Sequence, residues 1–298
     1  MTDIVEFGLD TFGDVTPGDD GRPLSHAQVI RNVVAEAELA DSLGVDVFGV
    51  GEHHRPDFAI SSPEVVLAAI AGRTRNIRLG SSVTVLSTDD PVRVYERFTT
   101  LDGASGGRAE IILGRGSFTE SYPLFGYSLG DYEALFEDKL ALFVELLEYD
   151  TTGAPVTWRG SKHPAIDRQR PFPRTESGRL PVWIGVGGSP ESVVRAARYG
   201  LPLTLAIIGG DPRRFLPYVQ LYHRSLDVHR HPRLPIAVHS PGYVAESDAQ
   251  ARAELFAPWR DMRNRIGAER GWPPTAAREF EHEIESGSLY VGRADTGG

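Results

Sequence analysis

A proline directly after a serine or aspartate, set just beyond a short β-rich run, recurs at Ser62-Pro63, Asp90-Pro91, Ser189-Pro190 and Asp211-Pro212. Each pair reads as the opening of a helix. The side-chain oxygen accepts an amide hydrogen that would otherwise be orphaned, and proline lacks a hydrogen where the first turn needs none. Ser25 with Gln28 forms a further start, a capping box ahead of the apolar positions Ile30, Val33, Val34, Ala37, Ala40 and Leu43, with Gly44 to end the helix. Between such helices lie seven strand-like runs: Ile4 to Leu9, Val45 to Val50, Ile77 to Leu86, Ala109 to Leu113, Val182 to Val186, Leu203 to Ile208 and Leu234 to Val238. Strand, capped helix and strand is the parallel crossover unit. Its repetition predicts a parallel sheet covered by helices, and both a barrel and a doubly wound sheet satisfy the pattern.

The chain of 298 residues suits a single α/β domain over 1–298 with one large core. The helical pattern lapses only between Gly153 and Arg179, where Pro, Thr, Trp and Arg predict a non-helical excursion in the form of a hairpin. Cysteine is absent, which excludes disulfides, thiolate metal sites and cysteine nucleophiles. Together with an amino-terminal stretch that has no basic and apolar signal pattern, this predicts a cytoplasmic location. No run is long enough to span a bilayer, and the net charge of −10, with lysine only at 139 and 162, leaves no basic tract for nucleic acid.

The chemistry concentrates where strands end. Gly51-Glu52-His53-His54-Arg55 follows the second strand directly, at what would be the active-site rim of a barrel. A metal site built on His53, His54 and His239 is disfavoured, because adjacent strand residues point to opposite faces and the spacings common at zinc and iron sites are missing. Gly114-Arg115-Gly116 follows the fourth strand, and a guanidinium between two glycines suits a phosphate. Gly187-Gly188-Ser189-Pro190-Glu191-Ser192 joins a strand to a capped helix start, whose free amides and dipole favour an anion, with Ser189 and Ser192 as further donors. Neither glycine run is a dinucleotide fingerprint or a Walker loop.

Taken together, GEHHR, LGSSVTVLSTDDPVRV, GGRAEIILGRGSFTESYPLFG and VWIGVGGSPESVVRAARYGLPL resemble the luciferase-like monooxygenase family, in order and spacing, from Val45 to Pro202. The resemblance implies a (β/α)8 TIM barrel that binds FMN or, in some branches, the deazaflavin F420. It implies that His53, with Glu52 before it, is catalytic. It places Arg115, Gly187, Gly188, Ser189 and Ser192 at the flavin phosphate, and a non-proline cis peptide at Ser82-Val83. Gly114 stands where bacterial luciferase carries a reactive cysteine, so nothing points to light emission.

The expected activity is that of a two-component monooxygenase. A separate flavin reductase would supply reduced FMN, and this chain would react it with O2 and a small organic substrate. An F420-dependent dehydrogenase or reductase of the same fold, and a flavin-binding protein without turnover, are the alternatives. The resemblance also implies a homodimer, with the helices Ser25 to Leu43 and Ser62 to Thr74 as interface candidates. Seven strands further imply that the eighth βα unit, which would follow the segment Gly287 to Asp295, is missing from the sequence.

Overall fold

The computed structural model describes residues 5–208 and 211–293, and the chain divides into two compact units, residues 1–185 and 186–298. The first unit carries, in chain order, β1 (Gly8–Thr11), α1 (His26–Ser42), β2 (Val47–Val50), α2 (Pro63–Ala71), β3 (Arg78–Val85), α3 (Pro91–Ser105) and β4 (Ala109–Gly114). There follow α4 (Ser121–Leu124), α5 (Tyr132–Thr152), β5 (Val156–Trp158), β6 (Ile166–Gln169) and β7 (Val182–Val186), whose last residue opens the second unit. Strands β1, β2, β3, β4 and β7 pair in that order, each parallel to the next. Val50, Leu79, Ile111, Leu113 and Ile184 are fully buried, as expected of parallel strands covered on both faces.

The second unit continues the alternation with α6 (Pro190–Arg198), β8 (Leu203–Ala206), α7 (Leu216–His229) and β9 (Ile236–His239), and β8 pairs parallel with β9. It then adds β10 (Gly242–Ala245), α8 (Asp248–Arg270), α9 (Ala277–Glu285) and β11 (Tyr290–Arg293). Strands β10 and β11 form a separate parallel pair, and Trp259, Phe280, Leu289 and Val291 pack a small core beside them. Seven strands with helical crossovers thus stand where the sequence pattern puts them, and the β10–β11 pair is an addition to that pattern. No helix among the described residues is long and apolar enough to cross a membrane.

Three of the four serine or aspartate caps form. Asp90 accepts from the amides of Val92 and Arg93, Ser189 from Ser192, and Asp211 from Arg213, where a 3-10 turn leads into α7. Ser62 differs: its side chain makes no capping bond, and Pro63 alone sets the start of α2. Ser25 accepts from the Gln28 amide, but the Gln28 side chain turns to Asn32 and Arg31, so only half of the capping box exists. The first strand begins at Gly8 and not at Ile4, which lies outside the described residues. Pairing decides this, since β2 opens at Val47, the partner of Gly8. The start of β3 is fixed by Asp41 at the end of α1, whose carboxylate accepts the amides of Arg75, Asn76 and Ile77.

The excursion after α5 is an antiparallel hairpin, β5 with β6. Its return to β7 hangs on the fully buried Asp150, which accepts from Tyr95 Oη (2.9 Å), the Thr175 amide (2.9 Å), Thr175 Oγ1 (2.7 Å) and the Leu180 amide (3.0 Å). Each buried donor left without an acceptor costs about 1–3 kcal/mol. Asp150→Ala should therefore lower the urea midpoint by an amount equivalent to roughly 3 kcal/mol or more. An unchanged midpoint would show that the excursion does not depend on this carboxylate.

Candidate active site

Two loops at the C-terminal ends of strands in the first unit bring the titratable groups together. The loop after β2 is stitched to the segment after β1: the Gly51 amide donates to Thr11 O (2.9 Å), Ala59 to Gly13 O (2.8 Å) and Val15 to Asp57 O (3.0 Å). Gly51 has to be glycine, because a Cβ there would lie 2.3 Å from a ring carbon of Phe12. This packing fixes the backbone of His53, whose amide donates to Ile60 O at 2.9 Å.

The His53 ring sits among aromatic side chains. Phe58 stacks on it (centroids 4.4 Å apart, 27° between planes), while Phe12 and Phe118 meet it edge-on at 4.9 and 5.0 Å. Phe118 comes from the loop after β4, and so does Glu120, whose Oε1 lies 3.4 Å from His53 Nδ1 and 3.5 Å from the His54 amide. Burial acts to raise the Glu120 pKa, but the bonds from His53 and from backbone amides outweigh it and hold the carboxyl below its ordinary value. Glu120 is therefore an anion at neutral pH. Its other oxygen, Oε2, is buried without a hydrogen-bond partner among the described residues.

Glu52 faces elsewhere. Its Oε2 accepts the buried Val85 amide (2.8 Å) and its Oε1 lies 3.0 Å from His54 Nε2, while the His54 ring meets Phe125 edge-on. The adjacent histidines thus pair with two different carboxylates. Among the described residues no three His, Cys, Asp or Glu side chains gather as a metal site.

The Ser82-Val83 peptide is cis, the position that the family resemblance implies. Pairing of β3 with β4 shifts register between Ser82 and Thr84, and Ser82 Oγ donates to Asp10 Oδ2 at 3.0 Å. The Val83 side chain fills space left by glycines on both neighbours: a Cβ at Gly114 would lie 2.4 Å from its Cγ2, and one at Gly185 3.1 Å from its Cγ1. Arg115 follows Gly114. Its Nη1 pairs with Glu133, its guanidinium carbon lies 5.0 Å from the centre of the Tyr132 ring, and its other nitrogens meet no partner among the described residues.

In the second unit, a Cβ at Gly187 or Gly188 would meet nothing within 4 Å among the described residues, which leave the turn before α6 open. Tyr218 Oη donates to Gly188 O (2.9 Å). Ser189 Oγ caps α6 and donates to Glu191 (2.8 Å), whereas Ser192 is buried with its hydroxyl 3.4 Å from Arg195 Nη1. Of the two serines, only Ser189 stands at the open turn. Glu120 and the phenylalanines around His53 were not singled out from the sequence. Their signal is faint: an acidic residue and aromatics in the loop after a strand that already delivers Arg115.

Strands that alternate with crossover helices, and carry their polar chemistry in the loops after the strands, fit the (β/α)8-barrel class. The chain belongs to the luciferase-like monooxygenase family, whose sequence model matches residues 10–296. It is 32% identical over 276 residues to 4-hydroxyprotoasukamycin monooxygenase of Streptomyces nodosus subsp. asukaensis, a match that covers 87% of this chain and 72% of that one. The fold is that of the monooxygenase RslO1 from Streptomyces bottropensis, with a TM-score of 0.82 at 23% identity over 98% of this chain and 85% of the other. The oxygenating constituent of 3,6-diketocamphane monooxygenase from Pseudomonas putida, solved with FMN, follows at 0.75 and 18% identity over 98% and 85%. Further solved neighbours include an F420-dependent enzyme. The chain spans between about half and three quarters of the length of the curated relatives it matches.

Glu52 ties the β2 loop to β3, so its loss should be felt as stability. Glu52→Ala strands the buried Val85 amide and should cost about 1–3 kcal/mol, whereas Glu52→Gln, which keeps an acceptor oxygen, should cost less. Equal urea midpoints for both variants and the parent would show that this tie carries no stability.

Proposed function

We propose that this chain is the oxygenating component of a two-component flavin-dependent monooxygenase. It takes reduced FMN from a separate reductase, together with O2 and a small organic substrate. The observation that carries the reading is His53: a histidine in a strand-end loop, sheltered by three phenylalanines, whose Nε2 meets no protein partner among the described residues. Such a nitrogen can hold or move one proton at a reacting oxygen, and positioned acid–base groups of this kind contribute about 10²–10⁴-fold. Family membership and the kinship with named monooxygenases support the same reading.

The residues present fit FMN. When bound, reduced FMN supplies the electrons with which O2 is cleaved, one oxygen atom going to substrate and the other to water. Arg115 has guanidinium nitrogens to spare for a phosphate, with Glu133 as the group it must share them with. In the second unit the open Gly187-Gly188 turn and the Ser189 cap present an amide-rich helix start, which also favours a phosphate. The aromatic wall keeps bulk water from the His53 ring, and Val83 supplies an apolar surface at the end of β3.

The test is oxygenation under ¹⁸O2 with FMN, a flavin reductase and NADH, against a panel of ketones, phenols and thioethers. One ¹⁸O atom in a product is the expected result, abolished or cut at least about 100-fold in His53→Ala, which should still bind flavin. Hydrogen peroxide alone from every substrate, with hydride exchange on F420, would replace the proposal by the F420 reading.

Arg115→Ala should weaken FMN more than about ten-fold and riboflavin, which lacks the phosphate, hardly at all, because a charged hydrogen bond is worth about 1.5–3 kcal/mol. Equal losses for the two flavins, measured by fluorescence titration, would withdraw Arg115 from the phosphate.

A further inference from the structure

The geometry points to Glu120 as the positioning residue for His53: its carboxylate holds a proton on Nδ1 and so confines proton exchange to Nε2. A carboxylate can only accept hydrogen bonds, so the ring nitrogen facing it has to carry hydrogen. That holds whether the imidazole is neutral or charged. In the neutral ring Nε2 is then a bare acceptor, and in the charged ring it is a donor. One proton therefore comes and goes at one nitrogen.

Three features support this beyond the 3.4 Å separation of Nδ1 and Oε1. The same Oε1 lies within 3.5 Å of the His54 amide, so the carboxylate is anchored to the loop that carries the histidine. The ring is packed on several sides, with Phe58 stacked on it and Phe12 and Phe118 meeting it in T-shaped contacts. The neighbouring carboxylate, Glu52, is committed to Val85 and His54 and cannot serve His53. The distance is long for a bond to a charged group, so in this state the carboxylate selects the tautomer more than it grips the ring. Catalytic hydrogen bonds are often long before ligands bind and tighten afterwards. The consequence for turnover rests on the function proposed above, but the tautomer does not.

The experiment is long-range ¹H–¹⁵N NMR of the full, flavin-free chain labelled with ¹⁵N-histidine, above the pH at which the ring becomes neutral. The His53 signals are assigned by their loss in His53→Gln. The parent should show the Nδ1–H form in excess. Glu120→Ala should shift the ratio of Nδ1–H to Nε2–H about ten-fold toward Nε2–H, as expected for loss of a charged acceptor. Glu120→Asp should recover part of the shift, and should Glu120→Ala not fold, the isosteric, uncharged Glu120→Gln makes the same comparison. An unchanged ratio on loss of the charge overturns the proposal. Oxygenation assays on the same variants separate it from the functional reading. A shifted tautomer with a fall in kcat and little change in KM supports both, while a shifted tautomer with unaltered kcat keeps the positioning role and removes His53 from the chemistry.

Discussion

An ionised carboxylate can accept hydrogen bonds but cannot donate them, and the loops of the first unit are organised around side chains under that constraint. Asp41 gathers three amides at the start of β3, and Asp150 gathers two amides and two hydroxyls where the hairpin returns to β7. Glu52 joins the β2 loop to Val85 at the end of β3, and Glu120 joins the β4 loop to the His53 ring. Each ties its own segment to donors from a segment distant in the chain. Loops that would otherwise carry unpaired amides are thereby held to the strands, and the side chains between them inherit fixed positions.

What was legible in the sequence was local. A cap and the amide it serves are two or three residues apart, so Asp90, Ser189 and Asp211 could be read directly. Apolar runs between caps gave the strands nearly to the residue at β7 and β4. The exceptions are those where a distant partner decides. Ser62 has the right neighbour in Pro63, yet its backbone leaves the hydroxyl out of reach of the helix amides. The first strand starts where β2 offers a partner and not where apolar residues start.

The site divides in the same way. The EHH motif announced itself, but which carboxylate faces which histidine could not be read from it. Glu52 and His53 are adjacent in sequence, yet Glu52 turns to His54, and the carboxylate near His53 is 67 residues on. Ser192 illustrates the converse. It sits on the first turn of α6, where a hydroxyl suits an anion, but the helix face it occupies is the buried one, and Arg195 lies against it. Helical periodicity alone distinguishes it from Ser189, which precedes the helix and stands at the open turn.

The two neighbouring histidines show how little local sequence constrains chemistry. His54 presents Nε2 to Glu52, and His53 presents Nδ1 to Glu120, so opposite nitrogens are engaged on rings one residue apart. Burial reinforces the difference. Glu52 also binds the Val85 amide and is held on both oxygens, whereas Glu120 keeps Oε2 without a partner among the described residues. A carboxylate satisfied on both sides is a fixed strut. One with a spare buried acceptor can still gain a bond, and the energy of an unmet buried acceptor is what a ligand donor would recover. The glycine at 114 leaves its space to Val83, making the end of β3 apolar where a thiol would have made it reactive. The open nitrogen of His53, the second oxygen of Glu120 and the spare nitrogens of Arg115 are thus polar groups at strand ends of this unit that a ligand could still engage.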